Sequence, residues 1–309
     1  MKKRSVILSG LLAFSLMAAV PVLAEETDQG EADVQVSETE LLQEDILGQI
    51  EQANTPDSTL EKNGDTGIHT IYYDSEGNET YSDYVYIGEN AFVYENSHGD
   101  VDVLQDGEGY GFSSEENLPY AYCFLDESSY ENFLRQNQEN YISADFSGEE
   151  LVSEEEQDGV TVVTTEIAGK DVSDPYTSLL FHEGDGLKFV YTVDAATRLL
   201  QSQECYEVQE DGTELLLAST VMDTEPEVYE VSPELMDQID NEDSRTITFV
   251  IDPGTEQEQT VVKTVGKGCA VTLVQPEGYT GLYTDEDCTQ VYEEENYTED
   301  ATIYMAKGK

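Results

Sequence analysis

Apolar residues near the start of the chain recur with the period of a helix. Leu42, Ile46 and Ile50 are four residues apart, which places them on one helical face. The preceding segment Ser37–Glu40 has the form of a capping box, with a hydroxyl residue three positions before a glutamate. The pattern predicts an amphipathic helix at Glu38–Ala53. Its single apolar stripe needs a second surface that buries it.

Further along, short segments of alternating apolar and polar residues are separated by turn residues, a pattern typical of antiparallel strands. The segment LKFVYTVD predicts a strand whose core face is made by Leu187, Phe189, Tyr191 and Val193. The pair Asp211-Gly212 between two such segments predicts a tight hairpin turn, because glycine tolerates positive φ.

Two further helices are predicted within and after the run of strands. The first covers Ser128–Tyr141, where Ser128 and Glu131 form a second capping box. The second is a short closing helix at Ser232–Ile239. A long antiparallel sheet with an N-terminal helix to cover predicts the α+β class.

This order of elements, and the stretch KFVYTVDAATRLLQSQECYEVQEDGTELLLAS in particular, resembles the periplasmic lipoprotein-carrier superfamily. The resemblance covers residues 37–242. It implies an antiparallel half-barrel sheet that covers the N-terminal helix around an apolar cavity. A lipid or other apolar ligand would occupy that cavity. If Leu42, Ile46 and Ile50 fill it instead, the domain is a plain scaffold.

The stretch from Arg245 to Lys307 contains, in order, the parts of the internalin-type B-repeat, also called the Listeria-Bacteroides repeat. These parts are a strand ending at Asp252-Pro253-Gly254, turns at Val265-Gly266 and Gly268, the pair Gly278-Tyr279, the segment Gly281–Asp285, and the closing TEDATIYMAK. The resemblance implies a small β-grasp-like domain at residues 245–309, a spacer or protein-contact module of extracellular bacterial proteins.

The B-repeat resemblance has two departures and leads to one prediction about tyrosines. The aromatic spacer that is common between Tyr279 and Gly281 is shortened to Thr280. Leu282 stands where the family usually has a tryptophan. Tyrosine suits a pleated, half-buried surface, so four tyrosines are predicted to be core or half-buried packing residues rather than a sugar-binding platform. They are Tyr279, Tyr283, Tyr292 and Tyr304.

Residues 1–24 have the three parts of a secretory signal peptide. A basic start at Lys2–Arg4 precedes the apolar core Val6–Val20 and the cleavage-site residues Val22–Ala24. The core is shorter than the roughly 20 residues that a membrane-spanning helix needs. We therefore predict cleavage and secretion, with retention at the cell surface left open. Residues 25–36 are predicted to be an acidic disordered linker.

The charge of the chain excludes two classes of partner. Over 309 residues the formal net charge is -55. Nucleic acids and anionic membrane surfaces are bound through lysine and arginine, which neutralise phosphate. Neither is expected as a partner. With hydrophobic residues at 38%, the chain can nonetheless build a folded core.

The four cysteines are an even number in an exported chain, so disulfides are chemically permitted. Of the three possible pairings we favour Cys269 with Cys288 and Cys123 with Cys205, because each bond then stays inside one predicted domain. A zinc site is the rival interpretation, but no C-x-x-C pair or nearby histidine supports one.

The sequence contains no motif for catalysis or for a cofactor. His69, His98 and His182 lie in separate segments without a metal-ligand spacing. Acid-rich stretches begin at Asp100 and Asp285, but neither has the spacing of a calcium loop, so both are interpreted as solvated turns. We predict no enzyme activity, no cofactor and no metal.

These inferences together predict a non-catalytic secreted or cell-surface bacterial binding protein. Its ligand is a lipid or another apolar small molecule held in the N-terminal half-barrel. The alternative is an adhesion or interaction protein that contacts an extracellular protein through the C-terminal repeat module and has no lipid ligand. The sequence does not name the ligand-binding residues.

Overall fold

A computed structural model of the protein describes residues 38–169, 186–227, 231–240, 242–274, 279, 281–292 and 299–306, with side chains from Ile46 onwards. The helices are α1 (Glu38–Ala53), α2 (Pro56–Asn63), α3 (Glu127–Ile142) and α4 (Pro233–Ile239). The strands are β1 (Thr66–Tyr73), β2 (Glu79–Gly88), β3 (Ala91–Asn96), β4 (Val101–Gln105), β5 (Glu108–Ser113), β6 (Leu118–Cys123), β7 (Glu150–Gln157), β8 (Val160–Ala168), β9 (Gly186–Asp194), β10 (Leu200–Val208), β11 (Glu214–Asp223), β12 (Ser244–Ile251), β13 (Gln259–Gly266), β14 (Ala270–Leu273) and β15 (Ala301–Met305). The predicted signal peptide and acidic linker lie outside the described residues.

Contacts divide the chain into two compact units. The first unit consists of Met1–Glu89 and Gln138–Pro226, and the second of Asn90–Asn137 and Glu227–Lys309. This division does not follow the predicted boundary at residues 242–245, because residues 90–137 associate with the C-terminal segment. A domain boundary predicted from the sequence separates parts that fold on their own, which a division by contacts does not measure. The predicted boundaries therefore stay predictions.

The first unit contains an antiparallel sheet with the strand order β2-β1-β11-β10-β9-β8-β7. The sequence pattern of β9 predicted one core face, and its four members are all buried: Leu187, Phe189, Tyr191 and Val193. The hairpin at Asp211-Gly212 is confirmed, since β10 pairs with β11 and Gly212 has a φ of 79°. The α+β class is thereby confirmed in its coarse form.

Helix α1 covers part of this sheet, and its observed bounds are the predicted ones. Ile46, Leu47 and Ile50 are buried in a core cluster with side chains of β8, β9 and β10. Burying these aliphatic side chains is the main contribution of α1 to stability, on the order of 2 kcal/mol for each one. The side chain of Leu42 lies outside the described residues.

Two helix starts differ from the sequence-based expectation. Helix α2 was not predicted, although Thr55 caps it by accepting a hydrogen bond from the Ser58 N–H and Pro56 follows at its first turn. The cap of α3 also differs, because Asp126 and Ser129 exchange side-chain hydrogen bonds with each other's N–H at 3.0 and 2.8 Å. The predicted capping box of Ser128 and Glu131 is therefore wrong, because the observed cap is formed by Asp126 and Ser129, two residues earlier in the chain.

In the second unit, β3, β4, β5 and β6 form an antiparallel meander, and β14 adds to β6 in parallel. Aromatic residues of β6 and α3 contact each other, with ring centroids 5.1 Å apart for Tyr122 and Phe133. A separate buried cluster joins Ala121 of β6 to Leu235 and Ile239 of α4. The predicted closing helix is confirmed, with Ser232 as its N-cap.

The C-terminal segment contributes a three-stranded sheet of order β13-β12-β15, in which β12 and β15 are parallel. Its core cluster includes Ile247, Phe249 and Ile303, with Leu282 packed against it. Tyr279 and Tyr292 pack against this cluster, and the four tyrosines of the predicted repeat are all half-buried: Tyr279, Tyr283, Tyr292 and Tyr304. The β-grasp assignment itself stays a prediction.

Within the part of the chain that the structure describes, no helix combines the length and the apolar character needed to span a membrane.

Candidate functional site

The four predicted disulfide cysteines are free thiols in this structure. Cys205 is buried in the first unit, Cys123 and Cys269 are buried in the second, and Cys288 is half-buried in a turn. Leu273 is the partner of Cys123 across β14 and β6. Cys269 lies four residues before Leu273, roughly 13 Å along the strand, which is beyond the reach of a disulfide. This separation excludes a bond between Cys123 and Cys269. The two favoured pairings, Cys269 with Cys288 and Cys123 with Cys205, are not affected by it and stay predictions.

The histidines do not converge on a site among the described residues. His69 is exposed on β1, where its ring lies 4.5 Å from that of Tyr84. The backbone N–H of His98 donates to Asn96 in the turn between β3 and β4. His182 lies outside the described residues.

The acid-rich stretch from Asp100 is not a solvated turn, because Val101–Gln105 form β4 and the chain turns only at residues 106–107, whereas the stretch from Asp285 is a turn. Asp100 accepts hydrogen bonds from the N–H and the hydroxyl of Ser114, both at 2.7 Å. Asp285 accepts from the N–H groups of Thr289 and Gln290 at 2.9 and 2.7 Å. Within the described ranges, no three His, Cys, Asp or Glu side chains are arranged to hold a metal ion.

The core-side face of the sheet in the first unit is covered unevenly. Over β8, β9 and β10 this face is buried against α1. Toward β1, β2 and β11 the same face contains buried side chains, among them Ile68, Thr70, Val85 and Ala218, and beside them a group that is only half-buried. We call this group the open patch, and it consists of Tyr72, Tyr81, Gln203, Thr220 and Met222.

Strand register shows that the open patch continues the buried core. Tyr72 and Met222 pack against the core cluster under α1. Tyr81 lies opposite Tyr72, and the two ring centroids are 5.3 Å apart. Gln203 lies between Thr220 on one neighbouring strand and the buried Tyr191 on the other. Residues directly opposite each other in an antiparallel pair share a face, so all of these side chains point to one side.

Asp83 is a buried acid at the margin of the open patch, with 6% of its surface exposed. It lies opposite Thr70, whose hydroxyl is 3.2 Å from that of Thr220. Burial raises the pKa of Asp83 to about 6, while hydrogen bonds with Thr70 and Tyr72 act in the opposite direction. Neutral hydroxyl groups are therefore the partners of this carboxyl group.

A second buried acid, Glu149, lies in the same unit. The Tyr191 hydroxyl donates to its two carboxyl oxygens at 2.9 and 3.0 Å, and the Thr165 hydroxyl also donates to it. Burial raises the pKa of Glu149 to about 7. Phe146, which is nearby in sequence, packs edge-on against the Tyr191 ring. Glu149 therefore anchors the segment before β7 to the sheet.

A third acid, Asp102 on β4 of the second unit, is half-buried as a residue but has a buried carboxyl group. The Tyr122 hydroxyl donates to its Oδ2 at 3.0 Å, and burial raises the pKa of Asp102 to about 7. Its Oδ1 is buried and has no hydrogen-bond partner among the described residues. The half-buried side chains of Tyr94, Tyr120 and Tyr122 lie on the same face of the sheet as Asp102.

Sequence reasoning did not find Asp83, although its segment contains the necessary signal. In TYSDYVYI, strand alternation places Asp83 on the same face as Tyr81 and Val85, and Val85 is fully buried. An acid at an apolar position of an alternating strand indicates a special environment. The abundance of acids elsewhere in the chain concealed it.

No family model matches the chain, and no curated protein matches it either. Among solved structures, the chain is similar to a LolA superfamily protein from Nitrosomonas europaea, with 11% identity, a TM-score of 0.25 and coverage of 62% of this chain and 96% of that one. It is also similar to MucB, solved in complex with MucA(peri), with 13% identity, a TM-score of 0.25 and coverage of 77% and 67%. TM-scores at this level are too low to establish a common fold.

Proposed function

We propose that the protein is a non-catalytic exported binding protein whose open patch holds an apolar ligand. The observation that carries this proposal is the half-burial of Tyr72, Tyr81 and Met222 on a face whose other part is closed by α1. Apolar and aromatic side chains with a few polar groups among them are typical of small-molecule sites.

The proposed ligand lies over β1, β2 and β11 rather than under the helix. Ile46, Leu47 and Ile50 occupy the space over β8, β9 and β10, so a ligand there would have to displace them. The resemblance to lipoprotein carriers suggested a cavity around the helix. The packing of α1 instead favours a smaller site at the half-buried side chains of the same face.

Native mass spectrometry of the full mature chain with a bacterial lipid extract tests this proposal. The wild type should carry one apolar adduct per chain. Met222→Glu places a charge on the patch and should abolish the adduct. Val221→Glu is the matched control, because Val221 is the neighbouring residue on the opposite face and is 51% exposed. A clean apo mass of the wild type would reject an apolar ligand.

The alternative function is protein contact through the C-terminal segment, with the B-repeat resemblance as its basis. The observation that favours it is Val262, which is 56% exposed on β13 at the edge of the three-stranded sheet. An exposed edge strand can accept a strand from a partner. Crosslinking on whole cells should lose a specific adduct in Val262→Lys and keep it in Val152→Lys, a control site that is 54% exposed on β7.

Deleting residues 245–309 would not separate the two functions cleanly. The deletion removes β14 from its pairing with β6 and uncovers Cys123, which is buried among residues of the C-terminal segment. The truncated chain would lose part of a core. Point variants of the full chain are therefore the appropriate test.

A further inference from the structure

The charge around the open patch has one sign. Asp83 is buried at its margin. The described part of the first unit contains three cationic side chains, and all of them contact groups outside the patch. They are Lys62 with the carbonyl of Thr197 at 3.3 Å, Lys188 with the carboxylate of Glu214 at 2.9 Å, and Arg198 with the hydroxyl of Thr161 at 2.8 Å.

Two aromatic rings form the apolar part of the patch nearest to this acid. The rings of Tyr72 and Tyr81 are tilted by 57° with centroids 5.3 Å apart, and both are half-buried. Tyr81 and Asp83 are two residues apart on β2, so they share a face. The face of an aromatic ring is electronegative and attracts an organic cation.

Asp83 lacks a cationic partner among the described residues, and its hydrogen-bond partners are the neutral hydroxyl groups of Thr70 and Tyr72. A hydrogen bond between a charged donor and a carboxylate is roughly twice as strong as one between neutral groups. An ammonium group beside Asp83 would provide such a donor. A carboxylate or phosphate in the same place would meet a like charge within a chain whose net charge is -55.

We infer that the open patch selects amphiphiles with an ammonium head group over amphiphiles with a carboxylate or phosphate head group. The apolar chain lies on Tyr72, Tyr81 and Met222, and the ammonium group lies between the two rings and Asp83. This inference rests on the proposed function, because it names the ligand class of the same patch.

Calorimetric titration of the full mature protein with three amphiphiles of equal chain length tests the inference. Dodecylamine, dodecanoate and dodecyl maltoside are each used below the concentration at which they form micelles, at physiological salt so that surface charges are screened. Dodecylamine should bind about ten-fold or more tightly than dodecanoate, the difference expected for one charged hydrogen bond. Dodecyl maltoside should bind with an intermediate affinity.

A matched pair of variants separates the site from the acidic surface. Asp83→Asn and Glu166→Gln each remove one negative charge, but Glu166 is exposed and points away from the core on β8. Asp83→Asn should weaken dodecylamine binding about ten-fold and leave the affinity for dodecyl maltoside unchanged. Glu166→Gln should change neither affinity.

Tyr81→Leu provides a second variant in case Asp83→Asn does not fold. It keeps an apolar side chain and removes the ring face, so it should weaken dodecylamine binding more than maltoside binding. The inference would be overturned by equal wild-type affinities for dodecylamine and dodecanoate, or by equal losses of dodecylamine affinity in Asp83→Asn and Glu166→Gln. In either case, binding of dodecyl maltoside would still support the proposed function. Failure of all three amphiphiles to bind would overturn both.

Discussion

The side-chain oxygen of Asn54 accepts a hydrogen bond from the backbone N–H of Leu200 at 2.8 Å, which joins the end of α1 to the start of β10. The amide nitrogen of the same side chain donates to the carbonyl oxygens of Arg198 at 2.9 Å and Ile50 at 2.7 Å. One buried carboxamide thus satisfies three backbone groups where the helix meets the β9–β10 turn.

Replacing Asn54 should destabilise the first unit through this junction. Asn54→Ala leaves buried backbone groups without partners, so the free energy of unfolding should fall by about 2–4 kcal/mol. Urea unfolding followed by circular dichroism measures the change. Gln52→Ala is the control, because Gln52 is an exposed amide on the same helix. Similar losses in the two variants would show that the junction contributes nothing specific.

Glu149 should make stability depend on pH in the direction opposite to that of a salt-bridged acid. Burial raises its pKa from 4.5 to about 7, so the folded state holds the proton more tightly than the unfolded state. The contribution is complete below pH 4.5 and is lost as the pH rises through about 7. Its magnitude is on the order of 3 kcal/mol.

Two neighbouring glutamates separate this contribution from the general repulsion among acids. Glu149→Gln should flatten the decrease in unfolding free energy between about pH 5 and about pH 8, since glutamine does not titrate. Glu150→Gln should leave the decrease as it is in the wild type, because Glu150 is exposed. Urea unfolding at the two pH values gives both slopes. A Glu149→Gln slope equal to the wild-type slope would contradict the role of burial.

The elements that could be predicted from the sequence are those with a strong period. The four-residue spacing of Ile46 and Ile50 gave α1 its correct bounds, and the alternation in β9 gave its core face. The alternation in β2 marks Asp83 as an inward-facing acid, but the partners of Asp83 and Glu149 could not be predicted, because they depend on the surroundings of each acid in the fold. Those surroundings come from strands far apart in sequence, such as β2 and β11 around the open patch.

Two glycines should respond in opposite ways to the same substitution. A Cβ at Gly111 would collide with the carbonyl oxygen of Val101 and with the Tyr120 hydroxyl, which donates to that carbonyl at 3.1 Å. Gly111→Ala should therefore destabilise the second unit by about 2 kcal/mol or more. A Cβ at Gly48 in α1 meets nothing within 4 Å, so Gly48→Ala should stabilise the protein by about 1 kcal/mol. Thermal unfolding of both variants measures these two changes in stability. A Gly111→Ala protein as stable as the wild type would contradict the close approach of Gly111 to the Val101 carbonyl and the Tyr120 hydroxyl.

Thiol labelling of the folded protein tests the state of the cysteines. Burial raises the pKa values of Cys123 and Cys269 to about 11, and that of Cys205 well above its ordinary value. The thiolate is the nucleophile, and Cys288 is the half-buried member of the four. Iodoacetamide should therefore modify Cys288 first, with the other three reacting only after unfolding. Cys288→Ser should remove the early reaction. A cross-linked Cys269–Cys288 peptide in a non-reduced digest would instead uphold the disulfide favoured from the sequence, because neither thiol would then be available to the reagent.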